Sequence, residues 1–119
     1  MNATIFKNIV PAQALDMAGL VDYLPGQVVS KTLVQNKALS LTLFAFPAGE
    51  GLSEHTARGE ALVYVLDGEA LLTIGGNKVS ARAGQTVLMP AGVPHALDAP
   101  REFKMLLCVV QPETPGTPL

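Results

Sequence analysis

From Gly26 onward the chain is a succession of short β-prone runs separated by turn residues. The spacing of these runs constrains the fold more strongly than any other feature of the sequence. Runs of this length and spacing predict about nine short strands in a sandwich or barrel rather than βαβ units. The clearest runs cover residues 28–35, 38–46, 61–66, 69–74, 78–82, 86–89, 95–99 and 102–110. The fold class expected is therefore all-β.

Several turns between these runs can be assigned from residue type. Asn36-Lys37 predicts a hairpin between the first two runs, and Gly75-Gly76-Asn77 predicts a turn into the run at 78–82. Asp67-Gly68 is a strong two-residue hairpin signal, because the turns that join paired strands need positive φ angles. We therefore expect residues 61–66 and 69–74 to be two separate strands.

The segment from Gly84 to His95 carries the most specific pattern in the chain. Gly84 can adopt the positive φ needed to turn into the run at 86–89. Pro90 cannot donate a ladder hydrogen bond, so it ends that strand or lies at a sheet edge. Pro90-Ala91-Gly92 predicts a tight turn, after which His95 can start an antiparallel return strand. The bend would deliver one histidine to the mouth of a sheet.

This segment resembles the second motif of the cupin superfamily, G-x5-P-x-G-x2-H-x3-N, with Ala99 replacing the final asparagine. The first cupin motif, G-x5-H-x-H-x3,4-E-x6-G, is matched only by Gly49, His55 and Gly68, so it is degenerate here. The resemblance covers about residues 38–110 and is to small cupins of the cupin 2, RmlC-like type. It implies a cupin-type double-stranded β-helix, a jelly-roll barrel, with a short N-terminal extension.

In cupins, two histidines and a glutamate of the first motif join the histidine of the second to hold a divalent metal. Only His55 and His95 carry over, because Ala57 and Ala61 stand where the second histidine and the glutamate would be and have no donor atoms. The resemblance implies His55 and His95 as candidate ligands of Mn, Fe, Ni or Zn. The metal would sit inside the barrel.

Strand alternation extends this site into a predicted ligand pocket. Side chains alternate between the two faces of a strand, so regular pairing would place the inward residues of this region on one face with His55. The predicted pocket consists of His55, His95, Val63, Val65, Ala57 and Ala61.

One residue could replace the missing carboxylate. Glu60 is one position out of phase with His55 and should face away from it, but a bulge at Gly59 could re-aim its side chain. The alternative is that Glu60, like Glu54 and Arg58, is a solvated residue near a loop.

Two interpretations of the histidine pair remain open at this point. The rings could bind a weakly held metal or a small acidic or polar ligand, or they could be neutral and hydrogen-bonded to each other, water or backbone. Two protein ligands are fewer than the three of catalytic zinc sites. We therefore favour a small-molecule-binding cupin without a firmly bound metal, in which a divalent metal is at most weakly held.

The alternative is a metal-dependent enzyme of the dioxygenase, isomerase or decarboxylase type. A sensor or interaction module is a third class, for which the sequence supplies no effector domain. The sequence names neither the ligand nor a reaction.

The outward face of residues 61–66 carries Leu62, Tyr64 and Leu66 and is also apolar. Strands that are apolar on both faces need a cover, and few helices are predicted in this chain to supply one. The composition, 49% hydrophobic and 15% charged residues, also favours apolar surface shared with a partner. A second subunit is the simplest cover, so we predict a homodimer. A net charge of −2 with scattered basic residues argues against nucleic acid as a partner.

The single cysteine, Cys108, cannot form an internal disulfide and is expected to be a small buried hydrophobe. Residues 1–10 contain Lys7 and lack the apolar core of a signal peptide, and the longest apolar runs are far too short to span a membrane. We expect a cytoplasmic location without membrane association. The expected organisation is an N-terminal strand or short-helix extension (1–25), the barrel (26–111) and a flexible tail (112–119).

Overall fold

The computed structural model describes residues 5–112, in which regular structure comprises one short 3-10 helix and eight strands. The helix spans Met17–Leu20. The strands are β1 (Val29–Gln35), β2 (Leu39–Phe46), β3 (Gly51–His55), β4 (Glu60–Ile74), β5 (Asn77–Arg82), β6 (Thr86–Met89), β7 (His95–Asp98) and β8 (Phe103–Val110). The all-β prediction is confirmed, and the hairpin at Asn36-Lys37 joins β1 to β2 as expected.

Every strand pairing is antiparallel, and β4 belongs to two sheets. One sheet has the order β1-β2-β8-β4-β6, in which β6 pairs with residues 61–64 of β4. The other has the order β5-β4-β7-β3, in which β7 pairs with residues 71–74 of β4. The chain therefore crosses from one sheet to the other at the bend between β6 and β7. Gly84 has the positive φ angle expected of it, +89°, and Gly92 in the predicted turn has φ +76°.

The hairpin predicted at Asp67-Gly68 is wrong, because β4 runs through both residues without reversing. The register between β4 and β8 shifts between Val65 and Asp67, so this stretch is a β-bulge. Gly68 has φ +75°, and a Cβ added to it would lie 1.9 Å from the carbonyl oxygen of Glu102. The positive φ that favours a turn serves here to bend one long strand from the first sheet into the second.

The inner faces of the two sheets form the main core. In β4 the predicted alternation holds, since Ala61, Val63 and Val65 are buried in this core. Phe46 of β2 stacks on Phe103 of β8 with ring centroids 4.6 Å apart. Close packing of this kind makes the interior a filled core over much of its length.

The outer face of the first sheet is covered in part by the chain's own N-terminal segment. Val21 is 2% exposed and packs in a second cluster with Leu33, Leu43 and Ala45, next to Leu66. Lys31 and Lys104 donate hydrogen bonds to the carbonyl oxygens of Leu20 and Ala18. The prediction overlooked this cover, which extends over Leu66 but leaves Leu62 and Tyr64 each 41% exposed.

Two further expectations concern the ends of the chain and the membrane. The predicted tail at 112–119 lies outside the described residues except for residue 112. Across residues 5–112 there is no helix with the length and apolar character needed to cross a bilayer.

Candidate functional site: the His55–His95 pair

A bulge in β3 brings the two histidines opposite one another. Leu52 pairs with Leu97 of β7, yet three residues later His55 pairs with His95, which is only two residues from Leu97. The extra residue lies at Ser53-Glu54 of β3 and keeps Leu52 and His55 on the same inward face, although their spacing is odd. His95 is also paired with Ile74 of β4 on its other side.

Two backbone hydrogen bonds fix the loops that carry the rings. The Gly92 amide donates to the carbonyl oxygen of Ala57, at 2.9 Å, which ties the bend before β7 to the segment after His55. The Gly75 amide donates to the carbonyl oxygen of Pro94, also at 2.9 Å. Gly92 of the sequence motif and Gly75, which lies outside it, therefore help to hold His95 at the start of its strand.

The two imidazole rings are in direct contact. Their Nε2 atoms are 3.1 Å apart, and the rings meet edge to face with centroids 4.3 Å apart. His95 is buried, at 3% exposure, whereas His55 at the end of β3 is exposed. The pair consequently has a closed side within the sheet and an open side toward solvent.

Hydrogen bonds to the backbone determine the tautomers of both rings. His55 Nδ1 lies 2.8 Å from the carbonyl oxygen of Ser53, and His95 Nδ1 lies 3.2 Å from that of Val93. A carbonyl oxygen only accepts, so each neutral ring carries its hydrogen on Nδ1. Both Nε2 atoms then present lone pairs to each other. The 3.1 Å contact between the two Nε2 atoms is then a hydrogen bond only where one ring also carries a hydrogen on Nε2.

Comparison with known proteins identifies the family. The model of the Cupin_2 family, described as a cupin domain, matches residues 42–110, more than half of the chain. The chain belongs to the cupin family. No match was found among curated protein sequences.

Solved structures agree with this assignment. A conserved protein of unknown function from Streptococcus pyogenes is 40% identical, with a TM-score of 0.91 over 94% of this chain and 98% of that one. A cupin superfamily protein from Desulfitobacterium hafniense is 31% identical, with a TM-score of 0.86 over 90% and 98%. An RmlC-like cupin from Shewanella frigidimarina, 21% identical, shares the fold with a TM-score of 0.68 over 77% and 83%. The cupin-type jelly-roll fold is confirmed.

The environment of His95 keeps this cupin's buried imidazole neutral. Burial lowers the pKa of His95 below its ordinary value, and the nearby His55 acts in the same direction. The hydrogen bond to the Val93 carbonyl opposes this shift but is the smaller effect. A neutral His95 with its hydrogen on Nδ1 offers the Nε2 lone pair that a metal ligand needs.

The pair fits two adjacent ligands of one cation. With metal–nitrogen bonds of about 2.0–2.1 Å, two neighbouring imidazoles on one metal have nitrogen atoms about 2.9–3.4 Å apart. The observed 3.1 Å lies in this interval. Metal-binding histidines also ordinarily donate the other ring N–H to a carboxylate, water or backbone carbonyl, as both rings do here. Two imidazoles are half of a four-ligand set.

The other predicted pocket residues supply no further donor. Ala61, Val63 and Val65 lie in the core, and Ala57 is half-buried beside the loop that carries His95. Within residues 5–112 no group of three or more His, Cys, Asp or Glu side chains could hold a metal ion. That these six residues line a ligand pocket stays a prediction.

No bulge re-aims the Glu60 side chain toward the histidine pair. Glu60 is exposed, and its pairing with Val110 continues in register into Ala61 and the rest of the strand. Gly59 serves another purpose, since a Cβ there would lie 2.4 Å from the carbonyl oxygen of Val110. Glu54 and Arg58 are exposed as expected.

Sequence reasoning considered a bulge only at Gly59, as one of two alternatives. The bulge that matters lies at Ser53-Glu54, where it turns His55 inward. The one available signal was the odd spacing of Leu52 and His55, two residues that both suit an inward face. The sequence could not reveal that the backbone carbonyls of Ser53 and Val93 accept from the rings, because every residue has a backbone carbonyl.

A second polar cluster, the Tyr23 cluster (Tyr23, Asp67 and Lys104), lies at the bulge of β4. The Tyr23 hydroxyl donates to Asp67 Oδ2 at 2.5 Å, and Lys104 Nζ lies 4.9 Å from the centre of the Tyr23 ring. Burial, the hydrogen bond and the charges of Asp67 and Glu102 raise the pKa of Tyr23 well above its ordinary value. The cluster joins the N-terminal segment to β4 and β8.

Proposed function

We propose that this cupin binds a small molecule at the His55–His95 pair, together with a weakly held divalent metal ion. The observation that carries the proposal is the direct approach of the two Nε2 lone pairs to 3.1 Å, with both Nδ1 atoms engaged by carbonyl oxygens. Two facing acceptors gain most from a cation placed between them. The exposed side of His55 gives a small molecule access to that cation.

Binding is favoured over catalysis by the number of protein ligands. Catalytic zinc sites ordinarily use three protein ligands, and no third His, Cys, Asp or Glu joins the pair in the described part of the chain. A metal supplies Lewis-acid chemistry when bound. The residues' own task is to present two oriented imidazole rings.

The proposal is tested by metal retention after controlled loading. Wild type and His95→Ala are incubated separately with Mn²⁺, Fe²⁺, Ni²⁺ and Zn²⁺, then desalted and assayed by elemental analysis, with circular dichroism to compare their folds. We expect wild type to retain more of at least one metal than the variant does, with partial occupancy because only two protein ligands are present. Equal retention by two folded proteins for every metal would remove the metal from the proposal.

We also propose that the protein is a homodimer. An apolar row runs across the outer face of the first sheet, from Leu88 through Leu62 and Cys108 to Leu41, each paired with the next. Leu88 is 53% exposed, Leu62 is 41% exposed and Cys108 is half-buried. Burying such a row on a second copy would remove apolar area from water.

The dimer is tested by sedimentation at micromolar concentration. Leu62→Lys should shift the protein toward monomer, whereas Val79→Lys, at an exposed apolar residue of β5 in the other sheet, should not. A monomeric wild type would contradict the proposal.

For the location, we propose the cytoplasm, supported by a single cysteine and the absence of a disulfide framework in the sequence.

A further inference from the structure

An open cleft of about 420 Å³ lies where β8 begins, at the opposite end of β7 from His95. Its volume falls in the range of about 300–1,000 Å³ that is typical of ligand sites. The cleft, called the proline cleft below, is lined mainly by Tyr23, Leu24, Pro25, Pro47, Pro100 and Arg101. The functions proposed above do not involve it.

The walls of the proline cleft are apolar and rigid. Leu24 is 45% exposed, and Pro25 and Pro100 are exposed as well. The Tyr23 hydroxyl is already bonded to Asp67, so the tyrosine ring contributes apolar surface. A proline ring has almost no rotamer freedom to lose, so ordering these side chains against a ligand costs little. Aromatic-lined grooves are the surfaces that bind extended proline-rich peptides.

The chain itself contains a proline-rich segment of this kind. Residues 111–118 read Gln-Pro-Glu-Thr-Pro-Gly-Thr-Pro, with a proline at every third position. Polyproline II has three residues per turn, so its three prolines would form one continuous strip along the segment. Only Glu113 and Gly116 are neither proline nor followed by proline, and prolines and the residues before them favour this extended backbone.

The charges of the cleft and the segment are compatible. Glu113 is the one charged side chain of residues 111–118. Arg101 supplies a cation at the cleft and is exposed, with Glu102 next to it in the sequence. An ion pair between Glu113 and Arg101 would set the direction in which the segment lies and would add little affinity at an exposed site.

The segment is too short to occupy the cleft of its own chain. The two lie at opposite ends of β8, since residues 100–102 precede the strand and residues 111–118 follow it. At about 3.4 Å per residue, β8 alone spans roughly 24 Å. From Pro112 to Pro118 a polyproline II segment spans about 19 Å. A segment that folded back along β8 would therefore stop short of the cleft, so the cleft it fits is that of another copy.

Packing of two copies through their first sheets provides the route. The central strand of that sheet is β8, in the order β1-β2-β8-β4-β6. Tyr23 packs against the cluster on the outer face, which is the face that the homodimer would bury. With the two β8 strands antiparallel across a twofold axis, the end of each strand lies above the beginning of the other. Each segment then reaches the cleft of the other copy, and the contact closes at two copies instead of continuing into a filament.

We propose that residues 111–118 dock as a polyproline II strip in the proline cleft of a second copy, reciprocally in a homodimer. This inference rests on the homodimer proposed above and does not involve the histidine pair. The docking is weak for a free segment and is strengthened in the dimer, where the sheet contact holds each segment near its cleft at a high effective concentration.

The test is a fluorescence anisotropy titration of a labelled peptide with the sequence of residues 111–119. The receptor is the full chain with Pro112→Ala, Pro115→Ala and Pro118→Ala (the triple variant), whose own segment has lost the strip and leaves the cleft open. We expect saturable binding by the triple variant. Wild type should bind the peptide at least about fivefold more weakly, because its own segments occupy the clefts.

Matched controls test the strip and locate the binding. A peptide of the same composition with its three prolines consecutive should bind the triple variant about tenfold more weakly. Ala48→Glu, added to the triple variant, puts a larger charged side chain at an exposed position of the cleft and should weaken binding about tenfold. Ala91→Glu adds the same charge at an exposed position in the turn before β7 and should leave binding unchanged. Circular dichroism compares the folds of all variants.

Sedimentation of wild type at the same concentration separates this inference from the proposed homodimer. If wild type sediments as a dimer, two results overturn the inference and leave the homodimer standing: no saturable binding by the triple variant, or equal binding by wild type and the triple variant. Equal binding by the Ala48→Glu and Ala91→Glu proteins would place the peptide outside the cleft and overturn the inference as well. A monomeric wild type would overturn the inference and the homodimer together.

Discussion

The histidine pair and the Tyr23 cluster are two polar groupings on the same sheet system, and they differ in whether their hydrogen-bonding needs are met. In the Tyr23 cluster a hydroxyl donates to a carboxylate, and the Lys104 ammonium donates to the Ala18 carbonyl. In the histidine pair both Nδ1 atoms are satisfied, but the two Nε2 acceptors face each other.

The difference distinguishes the Tyr23 cluster, which stabilises the fold, from the histidine pair, which remains available to a ligand. A polar group that finds its partner within the chain stabilises the fold and leaves nothing for a ligand. Imidazole nitrogens that have only each other as partners keep their capacity to bind a ligand. Function is carried by such sites on a fold, and sites of this kind are commonly less stable than the framework around them.

The largest expected effect is on the framework. Gly68→Ala places a Cβ at 1.9 Å from the Glu102 carbonyl oxygen at a residue with positive φ, so the bulge must move. We expect a loss of about 3 kcal/mol or more in the free energy of unfolding. Gly76→Ala is the matched control, since Gly76 also has positive φ but nothing within 4 Å of an added Cβ, and it should cost about 1 kcal/mol. Urea unfolding curves measure both, and equal losses would refute the role given to the bulge.

The next largest effect is on binding. His55→Ala removes one of two metal ligands at an exposed site, so Ni²⁺ affinity should fall about 100-fold, while the free energy of unfolding should change by about 0.5 kcal/mol or less. Tyr23→Phe should give the opposite pattern. Calorimetric titration and urea unfolding, run on both variants, would show whether the two regions are separable.

A smaller effect is expected when the Tyr23 cluster loses one hydrogen bond. Tyr23→Phe should lower the free energy of unfolding by about 1 kcal/mol, because the exposed Asp67 regains water. The raised pKa of Tyr23 makes this contribution fully present below about pH 10 and reduces it as the pH rises further. Wild type and variant should therefore converge in alkaline solution. A constant difference between them would show that Tyr23 ionisation is not involved.

The smallest effect is the pH dependence of the histidine pair. Because the pKa of folded His95 is lowered, the unfolded chain takes up its proton first. Stability that His95 contributes above about pH 6.5 is lost as the pH falls further. Unfolding curves between about pH 8 and pH 5 should be steeper in their pH dependence for wild type than for His95→Asn. Parallel profiles would contradict the lowered pKa.

The fold was predictable from the turn residues that separate the strands, and the residues of the second motif form the turns that the sequence predicts. Gly84 and Gly92 have positive φ, and the run after Gly92 begins at His95. The error at Asp67-Gly68 arose because a positive φ suits both a tight turn and a bulge. Only the approach of Glu102 from a distant part of the sequence decides between them.

The site was predictable only as far as its two histidines. Their convergence follows from the family resemblance, but the inward turn of His55 depends on a bulge at Ser53-Glu54 whose residues carry no special signal. The tautomers depend on two backbone carbonyls, and the partial cover of the outer face depends on how residues 17–21 dock. Such features arise from tertiary contacts rather than from residue type.

The central claim, that His55 and His95 jointly bind one cation, is tested most directly by crystals grown with Ni²⁺ and measured at the nickel absorption edge. The account predicts a single anomalous peak within bonding distance, about 2.0–2.2 Å, of both Nε2 atoms. A fully loaded crystal with no peak at the pair, or with a peak bound to one ring alone, would contradict it.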